Sequence, residues 1–232
     1  MIKELDNTAV LVLSDKAVNI KRSTNKGTIY KIIKRCFDIV CGIVGIIFLL
    51  IITLFIKIIS ICSGDFHSIF YTQKRIGKNG KEFNFYKFRS MVPNADKVLD
   101  ELLKKDKKLA KEYKINKKLE NDPRITKIGK FIRKTSLDEL PQIINILKGD
   151  MSFIGNRPYL PREKEDMGKY YDDIVRTKPG LTGFWQCSLR SRGTFEQRLK
   201  MEKYYSNNYS LKFDISIFFK TFSAVLGKKG AK

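Results

Sequence analysis

Two adjacent carboxylates, Asp138 and Glu139, are the residues whose type and spacing most readily suggest chemistry; they lie in the stretch Thr135-Ser136-Leu137-Asp138-Glu139-Leu140-Pro141-Gln142. One reading needs no function: Ser136 with Glu139 three residues later has the spacing of a capping box, and acids in a first helical turn are stabilised by the helix dipole. The other reading is chemical. Backbone N–H groups at a helix start bind phosphate, and two carboxylates beside them can share a divalent cation with a diphosphate. A carboxylate is already ionised at neutral pH and attacks phosphorus without help from a base. Downstream, Lys148-Gly149-Asp150-Met151-Ser152-Phe153-Ile154-Gly155-Asn156-Arg157-Pro158 leaves Arg157 directly before a proline. Proline holds the preceding residue extended, and a guanidinium aimed in this way suits bidentate phosphate contact.

Other catalytic chemistries have little to work with. There is one histidine, His67, which reads as a surface residue. Of the four cysteines, Cys36, Cys41 and Cys62 fall in or beside one apolar segment and Cys187 stands apart, so none has the CxxC spacing of a zinc or redox site. Lys and Arg number 46 against 24 Asp and Glu, a formal charge of +22 that favours anionic partners: nucleic acid, anionic lipid or a phosphorylated substrate. At 232 residues and 43% hydrophobic, the chain can bury one ordinary core.

The elements that must position these residues are partly legible. Residues 1–30 read as a polar, loosely ordered arm. Ile39 to Ile56 carries no charge, enough for about 27 Å of helix at 1.5 Å per residue, and has no polar stripe to face water. The segment therefore reads as a membrane helix. Lys21, Arg22, Lys26, Lys31, Lys34 and Arg35 precede it, while Ile58 to Gln73 has no Lys or Arg, which places the preceding flank in the cytoplasm. A simple span would put the basic remainder outside the cell, so a helix that bends and returns is the competing arrangement.

Beyond it, Ile69 to Ile76, Gly77-Lys78-Asn79-Gly80 and Glu82 to Phe88 form a β-hairpin pattern, Asn79-Gly80 supplying the positive φ angles of a tight turn. Residues 95–118 place Val98, Leu99, Leu102, Leu103, Leu109, Ala110 and Tyr113 at helical spacing among nine lysines, predicting one long basic amphipathic helix. From Thr126, Lys127, Lys130 and Lys134 share one helical side and Ile128, Phe131 and Ile132 another, as in a helix lying on an anionic membrane. Leu211 to Leu226 is apolar but interrupted by Asp214 and Lys220, which favours interfacial seating over spanning. The fold class is α+β: a small, mainly helical domain with a β-hairpin, anchored by a re-entrant or spanning helix and by interfacial amphipathic helices. The expected organisation is 1–30 arm, 31–63 membrane helix segment and 64–232 catalytic domain.

A series of motifs then resembles the bacterial sugar transferase family, the monotopic phosphoglycosyl transferases. It comprises Lys34-Arg35-Cys36-Phe37-Asp38, Gln73-Lys74-Arg75-Ile76-Gly77, Lys87-Phe88-Arg89-Ser90-Met91, Asp122-Pro123-Arg124-Ile125-Thr126, Ser136 to Gln142, Gly149-Asp150-Met151, Arg157-Pro158 and Lys178-Pro179-Gly180-Leu181-Thr182-Gly183 with Gln186. The match runs in order from about Lys31 to Lys229. By that resemblance Asp138 is the nucleophile of an Asp-Glu dyad, Glu139 its partner, Mg2+ is held by Asp138 and Glu139, and Arg157 and Arg133 contact phosphate. The implied reaction moves a sugar 1-phosphate from a UDP-sugar to polyprenyl (undecaprenyl) phosphate with release of UMP, through a covalent aspartyl-phosphosugar intermediate.

The implied location is the cytoplasmic face of the bacterial inner membrane. The partners are the UDP-sugar, polyprenyl phosphate and the lipid bilayer, with no nucleic acid; a homodimer is left open. A membrane-tethered nucleic-acid-binding protein and an inactive scaffold of the same fold are the rival readings. Where the family usually has Ser-Pro at mid-helix this chain has Leu50-Ile51, so re-entrant and spanning helices both stay open. Asn156 replaces a usual proline, His67-Ser68 a usual Gly-Pro, and Leu189 a usual glycine.

Overall fold

The computed structural model describes residues 2–14, 27–116, 119–189 and 193–226. Lys21, Arg22 and Lys26 of the basic flank, Lys117, Lys118 and Lys229 lie outside them, as do the side chains of Val225 and Leu226.

Helix α1, Ile2–Leu13, corrects the expectation of a loosely ordered arm. Leu5, Ala9 and Val12 repeat at helical spacing and are buried against Phe184, Met201 and Ile217, and Asp6 pairs with Lys220 at 2.5 Å. A three-residue apolar stripe in a polar segment makes a helix here because a partner groove covers it.

Helix α2, Thr28–Cys62, is one element of 35 residues, long and apolar enough to cross a membrane. Its buried positions, Asp38, Gly42, Leu49, Ile56 and Ser60, mark one face that lies along the rest of the protein. From Asp38 to Ser60 that face runs about 33 Å. A Cβ on Gly42 would stand 2.5 Å from a Leu147 methyl, and one on Gly45 2.4 Å from an Ile143 methyl, so these glycines let the helix backbone approach closely. Leu49 and Ile56 share a core with Ile69, Phe88 and Ile132. The other faces expose Ile43, Val44, Ile47, Phe48, Leu50, Ile51, Leu54 and Phe55.

Strands β1, Phe70–Ile76, and β2, Glu82–Phe88, form the expected antiparallel hairpin, with Tyr71 opposite Lys87 and Arg75 opposite Phe83. Its turn places Asn79 at φ 57° and Gly80 at φ 76°, the left-handed values the Asn-Gly pair implies. The lysine-rich stretch is two helices rather than one, α3, Ala95–Lys105, and α4, Lys107–Asn116. Asp106 adopts an extended conformation between them and its side chain accepts hydrogen bonds from the N–H groups of Lys108 and Leu109. Asp106 thus closes one helix through its own N–H, which donates to Leu102 O, and opens the next by capping it with its side chain.

Thr126 caps α5, Lys127–Lys134, accepting from Gly129 N. Its apolar side divides: Ile132 is buried and Ile128 packs beside it, while Phe131 is 59% exposed. Helix α6, Gln142–Lys148, ends at Gly149 with φ 88° and leads into β3, Ser152–Ile154. The short helices α7, Lys164–Met167, and α8, Tyr171–Val175, precede β4, Gly180–Thr182, which pairs with β3 in parallel.

Helices α9, Phe184–Ser188, α10, Phe195–Asn208, and α11, Leu211–Leu226, close the fold. In α11 the interrupting charges point inward: Asp214 accepts from Tyr30, Lys34 and Tyr205, and Lys220 donates to Asp6 and Ser188. Ile215, Phe219 and Phe222 are the exposed ones. The architecture is thus α+β and mainly helical, carried on one long apolar helix.

Candidate active site

Asp138 and Glu139 lie on a single 3-10 turn, Leu137–Glu139, just ahead of α6. This differs from the capping-box expectation. Ser136 sits at φ 59° and its side chain caps nothing; the capping box is instead at Thr194 and Gln197, at the start of α10. A non-glycine residue in the left-handed region costs energy and is held there by its surroundings. Here it turns the chain sharply after α5 and directs both acids toward the hairpin.

Asn145 fixes how close they come. Its side chain, wholly buried, accepts from Tyr86 N at 3.1 Å and donates to Asn84 O at 2.6 Å, docking α6 onto the edge of β2. Beside that edge Lys87 projects to the dyad, its Nζ 3.3 Å from Asp138 Oδ2 and 3.2 Å from Glu139 Oε1. Lys87, in Lys87-Phe88-Arg89-Ser90-Met91, is a site residue that the sequence reading gives no role. The signal was the strand alternation, which places Phe83, Phe85 and Lys87 on one face opposite Tyr71, Gln73 and Arg75.

Arg157 Nη1 is 3.9 Å from Glu139 Oε1, an ion pair too long to be a hydrogen bond, and its side chain is 35% exposed. The structure therefore brings Asp138, Glu139 and Arg157 together. Arg133 is held apart, its Nε donating to Ser90 Oγ at 2.8 Å, and it acts on Asp138 through charge alone. Arg75 completes the cationic wall; its guanidinium lies 5.3 Å from the centre of the Phe85 ring, and Lys87 Nζ lies 5.6 Å from the same ring. Burial, then the neighbouring Arg157, pulls the Arg75 pKa down to about 10.

Burial alone would raise the Glu139 carboxyl, but Lys87 and then Arg157 outweigh it and hold the group below the ordinary glutamate range. With Lys87, Arg157 and Arg75 around two acids, cations outnumber carboxylates, an arrangement suited to a ligand carrying several negative charges. The donor set also suits a hard divalent cation. Asp138 and Glu139 offer adjacent oxygen ligands, and magnesium takes few protein carboxylates, completing its shell with water and phosphate. Among the described residues no group of three or more His, Cys, Asp or Glu gathers to hold a metal, so the dyad would supply two protein ligands at most.

Asn156, standing where a proline was expected, is buried and donates from Nδ2 to Ile174 O, Thr177 Oγ1 and Ser206 Oγ. It thereby ties the segment before Arg157 to α8 and α10. His67 is a surface residue, its Nδ1 3.0 Å from Asp65 Oδ1, and all four cysteines are free thiols.

The site is thus a carboxylate pair ringed by cations, on a basic domain packed along an apolar helix. The chain belongs to the bacterial sugar transferase family, whose family model matches residues 29–228. It is similar to the undecaprenyl-phosphate galactose phosphotransferase of Salmonella typhimurium, 46% identical over 206 residues, 87% of this chain and 42% of that protein. It is also 40% identical to the exopolysaccharide production protein ExoY of Sinorhizobium fredii, over 85% of this chain and 87% of that one. The UDP-glucose:undecaprenyl-phosphate glucose-1-phosphate transferase of Escherichia coli is 35% identical over 66% of this chain and 32% of its own length. The chain spans less than half the length of several curated relatives it matches.

Proposed function

We propose that this chain is a polyprenyl-phosphate sugar-1-phosphate transferase that takes its donor from the UDP-sugars. An Asp138 oxygen attacks the sugar-linked phosphorus; the bond to the bridging oxygen breaks and UMP leaves, giving an aspartyl-phosphosugar acyl phosphate. An oxygen of polyprenyl phosphate then attacks the same phosphorus, the bond from phosphorus to the Asp138 oxygen breaks, and Asp138 is restored as a carboxylate. Lys87, Arg157 and Arg75 offset the negative charge gathered on the diphosphate. Arg157, the most exposed of the site's charged groups, reaches a phosphate oxygen. Asp138 and Glu139 would hold magnesium, which would supply Lewis-acid charge to the donor's phosphates. The observation that carries this reading is Lys87 Nζ lying within 3.3 Å of both dyad carboxylates, while Asp138 itself is buried. A nucleic-acid-binding role would leave that dyad without a purpose, since carboxylates repel a phosphate backbone.

The membrane arrangement we propose rests on α2. Its buried face contacts the domain from Asp38 to Ser60, so an upright span would carry Asp38, Ser152 and their neighbours into hydrocarbon. We place the chain on the cytoplasmic face of the bacterial inner membrane, with the outer faces of α2 in lipid on the side that supplies polyprenyl phosphate. The exposed Phe131, Ile215, Phe219 and Phe222 fit interfacial seating.

The test is UMP release by purified protein given polyprenyl phosphate and each member of a panel of UDP-sugars, with a phosphosugar adduct on the protein when acceptor is withheld. Turnover that requires donor and acceptor bound together, with no adduct at any time, would sink the two-step mechanism.

A further inference from the structure

The residues behind Arg157 are charged and buried. Arg157 N donates to Glu202 Oε1 at 3.3 Å, and Glu202, on α10, is 2% exposed. Arg75 Nη1, on β1, donates to Pro158 O at 3.1 Å, and its Nη2 is anchored on Gln73 Oε1 at 2.8 Å. Tyr159 O accepts from Ile76 N at 2.8 Å, and its hydroxyl accepts from Arg198 Nε at 2.8 Å. Leu160 N donates to Glu163 Oε2 at 2.7 Å. Each of the four residues from Arg157 to Leu160 is therefore held by a separate bond, drawn from β1, α10 and the turn at Pro161–Glu163.

Burying ions is an expensive way to hold a loop, and an apolar packing of the same volume usually serves stability as well or better. What buried ions supply is direction. We propose that Glu202 and Arg75 are positioning residues that hold the Arg157-Pro158 peptide so that the Arg157 guanidinium meets the donor's phosphate. Neither is required to touch the reacting atoms, and the inference rests on the reading of Arg157 as a phosphate contact.

A double-mutant cycle on the full chain tests it, with kcat and KM measured for a UDP-sugar that supports turnover. Arg157→Lys keeps the charge and loses the fork, and sets the reference split between kcat and KM. Glu202→Met removes the acceptor for Arg157 N and is expected to lower kcat/KM about tenfold or more with that same split. Glu202→Gln, which keeps a carbonyl acceptor, is expected to restore most of the loss. The double variant Glu202→Met with Arg157→Lys should be no worse than Arg157→Lys alone, because both changes remove one interaction. If Glu202→Met does not fold, the same cycle is run on Arg75→Lys, whose ammonium cannot span Pro158 O and Gln73 Oε1 together.

Full additivity in the cycle, or wild-type kinetics in the Glu202→Met or Arg75→Lys variant used for it, overturns the positioning role while leaving Arg157 as it was. Wild-type kinetics in Arg157→Lys instead removes the phosphate role of Arg157, and with it this inference.

Discussion

Lys87 Nζ stands 3.2 Å from Glu139 Oε1, and the same ammonium is the largest charge influence holding that carboxyl below the ordinary glutamate range. Removing the cation should therefore raise the Glu139 pKa. A carboxylate with a lowered folded-state pKa is ionised, and stabilising, above its unfolded value and loses that effect as pH falls through the folded value. In Lys87→Met the acid limb of the pH–rate profile is expected to move to higher pH, with turnover reduced. A profile recorded from pH 4 to 8 checks this; an unmoved acid limb would show that Glu139 ionisation does not control the rate.

Asp138→Asn removes the charge with little change in shape, so the phosphosugar adduct and turnover should both vanish. Intact-protein mass spectrometry after donor addition, on material shown free of deamidation, reads the adduct directly. Near wild-type turnover in that variant would mean that another group attacks phosphorus.

Asn145→Leu keeps volume but strips the two bonds that dock α6 on β2, leaving Tyr86 N and Asn84 O without partners. The expected loss of stability is about 1–3 kcal/mol, because the two backbone groups left without partners are only partly buried. Denaturant unfolding in detergent measures it. Turnover at a temperature where the variant stays folded should also fall, because the distance from Lys87 to the dyad depends on that docking.

Topology has its own test, using single cysteines near residue 25 and near residue 230 in a cysteine-free background in intact cells. With the long helix lying along the domain, both sites should resist a membrane-impermeant thiol reagent until the cells are permeabilised. Reaction of the residue 230 probe alone in intact cells would establish a span, and would place the site across the membrane from its nucleotide-sugar donor.

The sequence by itself determined whatever depends on local pattern. Asn79-Gly80 requires left-handed backbone, so the hairpin was legible with its strand limits. Charge-free residues over five turns of helix made α2 legible for the same reason, and the types of Asp138, Glu139 and Arg157 marked the chemistry. What depends on partners distant in the chain was settled only by the tertiary structure. Leu5, Ala9 and Val12 become a helical stripe because α9, α10 and α11 supply a groove. Asp214 and Lys220, which read as interruptions of an apolar tail, are the inward-facing residues because Tyr30, Lys34, Tyr205 and Asp6 pair with them. Ser136 gives up a capping bond that its spacing favours, since the fold needs a sharp turn there. Lys87 reaches the dyad across 51 residues of chain because Asn145 satisfies two backbone groups on the edge of β2. Leaving such backbone groups without a partner costs free energy, and whether a partner exists depends on residues distant in the chain.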